Sequence, residues 1–306
     1  MPHEHGQAHE HPHAHDGAGS PSGQRHLPGH IAAALARAGS PSDSAGQSWS
    51  GRDLSGEGNP LHQFDTDDGT ADQAVAEALA RLVAGTDDEV GVHRALAAAR
   101  VFVAVVASLA EGGMGEHGFA QDKEADMALV TLSAPDGRKA LPVFTSVERL
   151  EAWHREARPV AVFAPRAALS AVSEGAELLV LDPGAAFTFV LRRPAVWALA
   201  QQREWTPSYV DPSLVADVER AVKGLAPVRG IEIGPGAGVA SRDASGRVVA
   251  GGGPGPELRL TLALTPGLPA ETVRETVSEL NSRLAGSPRF AESVDSIELK
   301  VRAAPS

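Results

Sequence analysis

Histidines are the most conspicuous chemistry-bearing residues of this 306-residue chain. Eight of the twelve fall within the first thirty positions, among them His3, His5, His9, His11, His13 and His15. A neutral imidazole ligates zinc, nickel or copper, and several on a flexible polar segment chelate a metal without a preformed site. The spacing is irregular and interleaved with Glu and Asp. Two readings follow: adventitious metal binding by a compositionally biased tail, or metal buffering as a role in its own right.

Beyond the tail only His62, His93, His117 and His154 occur. His93 and His154 fall in predicted helices and are expected at the surface. His117 lies in a glycine-rich loop over 111–122, which leads into Asp122, Lys123, Glu124, Ala125 and Asp126. Binding residues concentrate on loops of this kind, so His117, Asp122, Lys123 and Asp126 are candidates. Two readings stay open. His117, Asp122 and Asp126 could serve a metal-dependent hydrolase, or the charges could form a solvated loop that pairs internally and meets a partner.

Other tempting patterns fail on spacing. Residues 65–70 (DTDDGT) place Gly69 fifth and Ala76 twelfth, where a calcium loop needs Gly sixth and Glu twelfth. They read instead as a turn before a helix. The glycine clusters at 234–238 and 251–255 lack the strand-to-helix setting of a phosphate loop and read as loops. Neither a Gly-x-Ser-x-Gly elbow nor a His-Glu-x-x-His helix occurs.

Composition narrows the function classes. The absence of cysteine excludes a disulfide framework, a thiol nucleophile and thiolate-bound zinc or iron–sulfur clusters. The formal net charge is −12, and the stretch 61–200 holds 20 acidic against 12 basic residues. Such a surface opposes binding to nucleic acid and to anionic membranes. No apolar run approaches the roughly 18 residues of a spanning helix. The opening segment has no signal-peptide pattern, and a cytoplasmic location is expected.

These residues must be held by elements the periodicity predicts. Residues 1–58 are too polar to repay their ordering entropy and are expected to be a disordered tail. A capping box at Thr70 opens a helix with Val75, Leu79 and Leu82 on one face, and a second helix covers about 88–98. The β-branched run 100–108 is a buried strand. Strands at 127–133 and 139–145 form a hairpin turning at residues 134–137. A second capping box at Thr145 opens the next helix. A strand over 159–163, a helix over 165–174, two strands over 177–181 and 186–191 joined by a turn at 182–184, and a short helix over 194–201 follow. A connector over 206–229 contains one helix, and 230–306 is a small module with a βαβ-like order. In that module 231–233 and 239–250 are expected to form a ribbon. The fold class is α+β: a mixed β-sheet with flanking helices over 59–205, plus the smaller C-terminal module.

The order of pieces over 59–205 resembles the SseB-type (enhanced serine sensitivity) N-terminal domain, and in particular its actinobacterial branch. The matching residues include Val101 to Val106, Asp122, Lys123, Ala125 to Ala128, Pro135 to Arg138, Ala140 to Ser146, Leu181 to Gly184 and Arg192 to Pro194. The resemblance implies an α+β fold of poorly defined function with no established catalytic constellation. Pro142 and Phe144 would then put an aromatic beside a sheet edge, leading into the Thr145 cap. Phe144 and Thr145 thus join the candidate binding residues. Together these features lead to the expectation of a non-catalytic adaptor or regulatory protein that needs no cofactor and binds a protein partner through the 111–126 loop and the 144–148 strand end.

Overall fold

The computed structural model of the chain describes residues 64, 66–109 and 125–305. The histidine-rich tail and the loop bearing His117, Asp122 and Lys123 lie outside the described residues.

Helix α1 (Gln73–Ala84) is capped by Asp72, whose Oδ1 accepts the Ala74 and Val75 N–H groups at 2.9 and 3.2 Å. The expected Thr70 cap is therefore displaced by two residues; the Thr70 hydroxyl donates to Asp68 instead. Helix α2 (Glu89–Leu96) starts at an Asp88 cap, and β1 (Arg100–Leu109) follows. One edge of β1 pairs antiparallel with β5 (Arg158–Phe163), from Arg100↔Phe163 to Val105↔Arg158. Its other edge first meets β4 (Lys139–Phe144) at Phe102↔Phe144 and then β2 (Ala125–Leu129) from Val105↔Leu129 onward.

The strand expected over 127–133 is therefore split. β2 stays with β1, whereas β3 (Leu132–Ser133) crosses to β4. Helix α3 (Val147–Trp153) is capped by Ser146, not Thr145, because the Ser146 hydroxyl accepts the Arg149 N–H. After α4 (Ala164–Ser173), β6 (Leu178–Leu181) joins β4 in parallel, and β7 (Phe189–Leu191) pairs antiparallel with β6 before α5 (Arg193–Ala200). One face of this seven-stranded sheet packs Val101, Val103, Leu141, Val143, Leu179 and Leu181 into the main core, together with buried residues of α1, α2, α4 and α5. A smaller cluster of Phe102, Ala104, Phe144 and Leu150 lies with α3.

The rest of the chain comprises α6 (Pro212–Val222), β8 (Val228–Pro235), β9 (Ala240–Arg242), β10 (Val248–Gly252), β11 (Leu258–Leu264), α7 (Ala270–Ala285), α8 (Pro288–Ser293) and β12 (Ile297–Ala303). β11, α7 and β12 form the expected βαβ unit, with β11 and β12 parallel. β8 pairs antiparallel with the other edge of β11, so 231–233 belongs to this sheet and only β9 and β10 make the ribbon. Leu258, Leu260, Leu262 and Leu264 alternate onto the face covered by Leu214, Val218, Leu280 and Leu284. The whole is α+β with mixed sheets, as the element pattern predicts.

Candidate functional site

The structure disperses part of the sequence-derived site. Asp126 sits on β2 opposite Ser108. Phe144 is not at a sheet edge: β4 runs between β1 and β6, and the ring is fully buried, 5.2 Å from that of Trp153. Thr145 is buried as well. Its N–H and its hydroxyl both donate to Asp182, each at 2.8 Å. Asp182 holds a left-handed backbone (φ 52°), uncommon for a non-glycine residue, and takes an ion pair from Arg149 at 3.2 Å. Burial pushes its carboxyl above the ordinary aspartate range, against the opposing pull of the Thr145 bonds and Arg149. Thr145 and Asp182 thus close the C-terminal ends of the parallel neighbours β4 and β6, and neither offers a free group to a partner.

His93, expected at the surface, is 3% exposed. Its Nε2 lies 3.2 Å from the Ala195 carbonyl, its ring is 5.7 Å from that of Trp205, and burial lowers its pKa. The neutral ring with a proton on Nε2 satisfies that carbonyl. Among the described residues, no group of three or more His, Asp or Glu side chains is placed to hold a metal ion, and no helix is long and apolar enough to cross a membrane.

What sequence reasoning missed is a set of arginines that ties the two modules together. Arg192, at the junction of β7 and α5, is 1% exposed. Its Nη1 reaches Glu89 Oε1 at 3.3 Å, its Nη2 donates to the carbonyls of Gly238 (2.9 Å) and Gly253, and its Nε donates to that of Gly255 at 3.4 Å. Glu89 in turn accepts the Gly252 N–H at 2.6 Å and the Tyr209 hydroxyl at 3.2 Å. Burial, reinforced by Glu89, pushes the Tyr209 phenol far up, so it stays a donor.

The two glycine clusters make this enclosure possible. A Cβ on Gly238 would lie 2.0 Å from the Gly255 carbonyl carbon, and one on Gly253 would lie 2.3 Å from the Ala240 carbonyl oxygen. The backbones cross too closely for any side chain, and the crossing presents its carbonyls to one guanidinium.

Arg193 extends the tie to α8, donating to the Ala291 and Val294 carbonyls at 3.0 and 2.6 Å. Arg138 bonds Asp295 at 2.7 Å and the Pro254 carbonyl at 3.0 Å. Glu257, 1% exposed, accepts the Ser208 and Asp295 N–H groups. Burial raises its pKa despite those bonds.

Where α5 faces α8 the junction opens into a cleft of about 320 Å³. Pro194, Trp197 and Trp205 line it together with Arg203, Glu204, Asp211 and Glu292. Trp205 is 8% exposed, and its Nε1–H is buried without a hydrogen-bond partner among the described residues. Trp197 already carries the Arg193 guanidinium 5.0 Å from its ring centre. Glu204 and Glu292 make no ion pair among the described residues. The site therefore combines two indoles, three carboxylates and the guanidinium of Arg203, with that of Arg193 lying on the Trp197 ring, between two packed modules.

Residues 75–198 match the family model described as SseB protein N-terminal domain, which supports an SseB-type family for this part of the chain. The match runs from α1 into α5 and includes Arg138, Arg192 and Arg193, whose main-chain carbonyl partners, with Asp295, lie beyond it, whereas Glu89, the ion-pair partner of Arg192, lies within it. Neither a curated protein nor a solved structure matches the chain.

Proposed function

We propose that this is a non-catalytic, cytoplasmic adaptor or regulatory protein of the SseB type, in its actinobacterial branch, and that the cleft between α5 and α8 receives a basic segment of a partner protein. One observation carries the reading. The cleft is lined by the indoles of Trp197 and Trp205 together with Glu204 and Glu292, carboxylates that form no ion pair among the described residues. An arginine or lysine side chain suits this combination, since an aromatic face and a nearby carboxylate each favour a cation. The buried ionisable groups Glu89, Arg192 and Glu257 are instead occupied in holding the modules together. The 111–126 loop remains part of the proposed contact surface as a sequence-based expectation.

The test is a fluorescence titration of the full chain with a labelled decapeptide of alternating Arg and Gly, and with the matching Glu–Gly peptide. The reading expects saturable binding of the basic peptide only, weakened at least about tenfold by Glu204→Lys with Glu292→Lys and by Trp197→Ala. Equal affinity in the parent and both variants would mean that the overall negative charge, and not the cleft, attracts the peptide.

A further inference from the structure

β12 is an open edge. Among the described residues it pairs only with β11, and five of its seven residues are exposed. An unpaired row of N–H and C=O groups is a template for another strand. Ile297 and Val301 are 37% and 45% exposed, and with Leu299 they lie on the face that β11 buries, because Leu258, Leu260 and Leu262 are their register partners. Glu298, Lys300 and Arg302 alternate onto the opposite face. There Glu298 takes Arg259 at 3.2 Å and Lys300 at 3.1 Å, and Arg302 pairs with Glu232. The Ala237 N–H, with those cations, holds the Glu298 carboxyl at about 2, so it is charged across the working pH range. The other edge of this sheet, β8, carries a register irregularity at Ala263/Leu264 and ends at Pro235.

We infer that β12 is a homodimerisation edge, pairing antiparallel with β12 of a second copy, with Leu299 facing Leu299 at the twofold axis. The strand is self-complementary in that register. Ile297 of each copy faces Val301 of the other, so both exposed apolar side chains gain a cross-strand neighbour. On the opposite face Glu298 of each copy meets Lys300 of the other, so each Lys300 lies between two carboxylates, its own Glu298 and that of the second copy. A shift of one position would turn apolar side chains towards charged ones. A shift of two would set Lys300 against Lys300. The charges thus select one register as well as attracting a partner. The arrangement is isologous and closed, producing a six-stranded sheet from two three-stranded ones.

The chain contains no cysteine, so a single introduced thiol reports on the axis. Opposed residues of an antiparallel pair have Cα atoms about 4.5–5.5 Å apart, within disulfide range. The full chain carrying Leu299→Cys is expected to form a covalent dimer under mild oxidation. Ile297→Cys alone should not, but mixed with Val301→Cys it should. Light scattering of the unmodified full chain should give twice the chain mass, and Lys300→Glu should weaken the dimer by roughly tenfold or more. Lys300 is exposed and among the described residues pairs only with Glu298, so this variant should keep its circular dichroism spectrum. A monomeric mass at the highest soluble concentration, or cross-linking by Ile297→Cys alone as readily as by Leu299→Cys, would overturn the proposal.

Discussion

The guanidinium of Arg192 and the carboxylate of Glu89 meet at 3.3 Å with side chains 1% and 2% exposed, and they come from opposite ends of the matched domain. Burying two charges is costly unless every remaining donor and acceptor is used. Here they are used by main-chain carbonyls of 238, 253 and 255, by the Gly252 N–H and by the Tyr209 hydroxyl. The pair therefore couples the helical end of the first module to the loops of the second.

Arg192→Met should lower unfolding free energy by about 3–5 kcal/mol, because it strands a buried carboxylate. Arg192→Lys should recover only part of this, since an ammonium cannot reach the carboxylate and the separate carbonyls as a planar fork does. Urea denaturation followed by circular dichroism measures both.

Gly238→Ala and Gly246→Ala separate two reasons for glycine. At Gly246 nothing lies within 4 Å and φ is +81°, so the change should cost about 1 kcal/mol. At Gly238 the new methyl meets Gly255 backbone at 2.0 Å, and the crossing around Arg192 must open. Thermal melts should show a far larger drop in Tm for Gly238→Ala.

Thr145→Val removes a donor from buried Asp182 and should cost about 1–3 kcal/mol. Arg149→Ala breaks an ion pair whose arginine is 46% exposed, and should cost no more than about 1 kcal/mol. Chemical denaturation of the two variants checks the order.

Glu257 gives a pH signature of definite sign. Its folded pKa is raised above the ordinary value of 4.5 by burial, so the folded chain binds the proton more tightly than the unfolded one. Its contribution to stability is complete below about 4.5 and is lost as pH rises through the folded value. The stability difference between the parent chain and Glu257→Gln should therefore shift against the parent from mildly acid to neutral pH. Urea midpoints measured across that range test the sign.

Much of the fold was legible because local patterns and tertiary packing agree. The β-branched run at 100–108 is a central strand, and the turn at 134–137 closes through Gly137 with its N–H on the Ala134 carbonyl. Caps were readable in kind but not in position. Thr70 and Thr145 are adequate cap residues, yet Asp72 and Ser146 are the residues whose oxygens meet the free N–H groups. The site was less legible for a physical reason. Arg138 and Arg192 stand within recognisable sequence, but many of their partners are main-chain carbonyls, which carry no residue identity and lie 46 to 116 residues away. The one signal in the sequence is the glycine clustering at 234–238 and 251–255, whose pattern predicts loops and which the structure brings together as a backbone crossing. Trp205, placed at the end of the first module from the sequence, belongs to the core and to the cleft at once.

The crossing also determines where the chain can be cut. Val249, from the ribbon, belongs to the core of the sheet domain, and a Cβ on Gly252 would press on the Phe189 ring at 2.6 Å. Ending the polypeptide at residue 198, where the family match stops, would open Leu82, Phe189 and the paired charges of Glu89 and Arg192 to water. That fragment would expose a sticky, charged wound rather than a finished surface, so excising the matched domain on its own should produce an aggregating species.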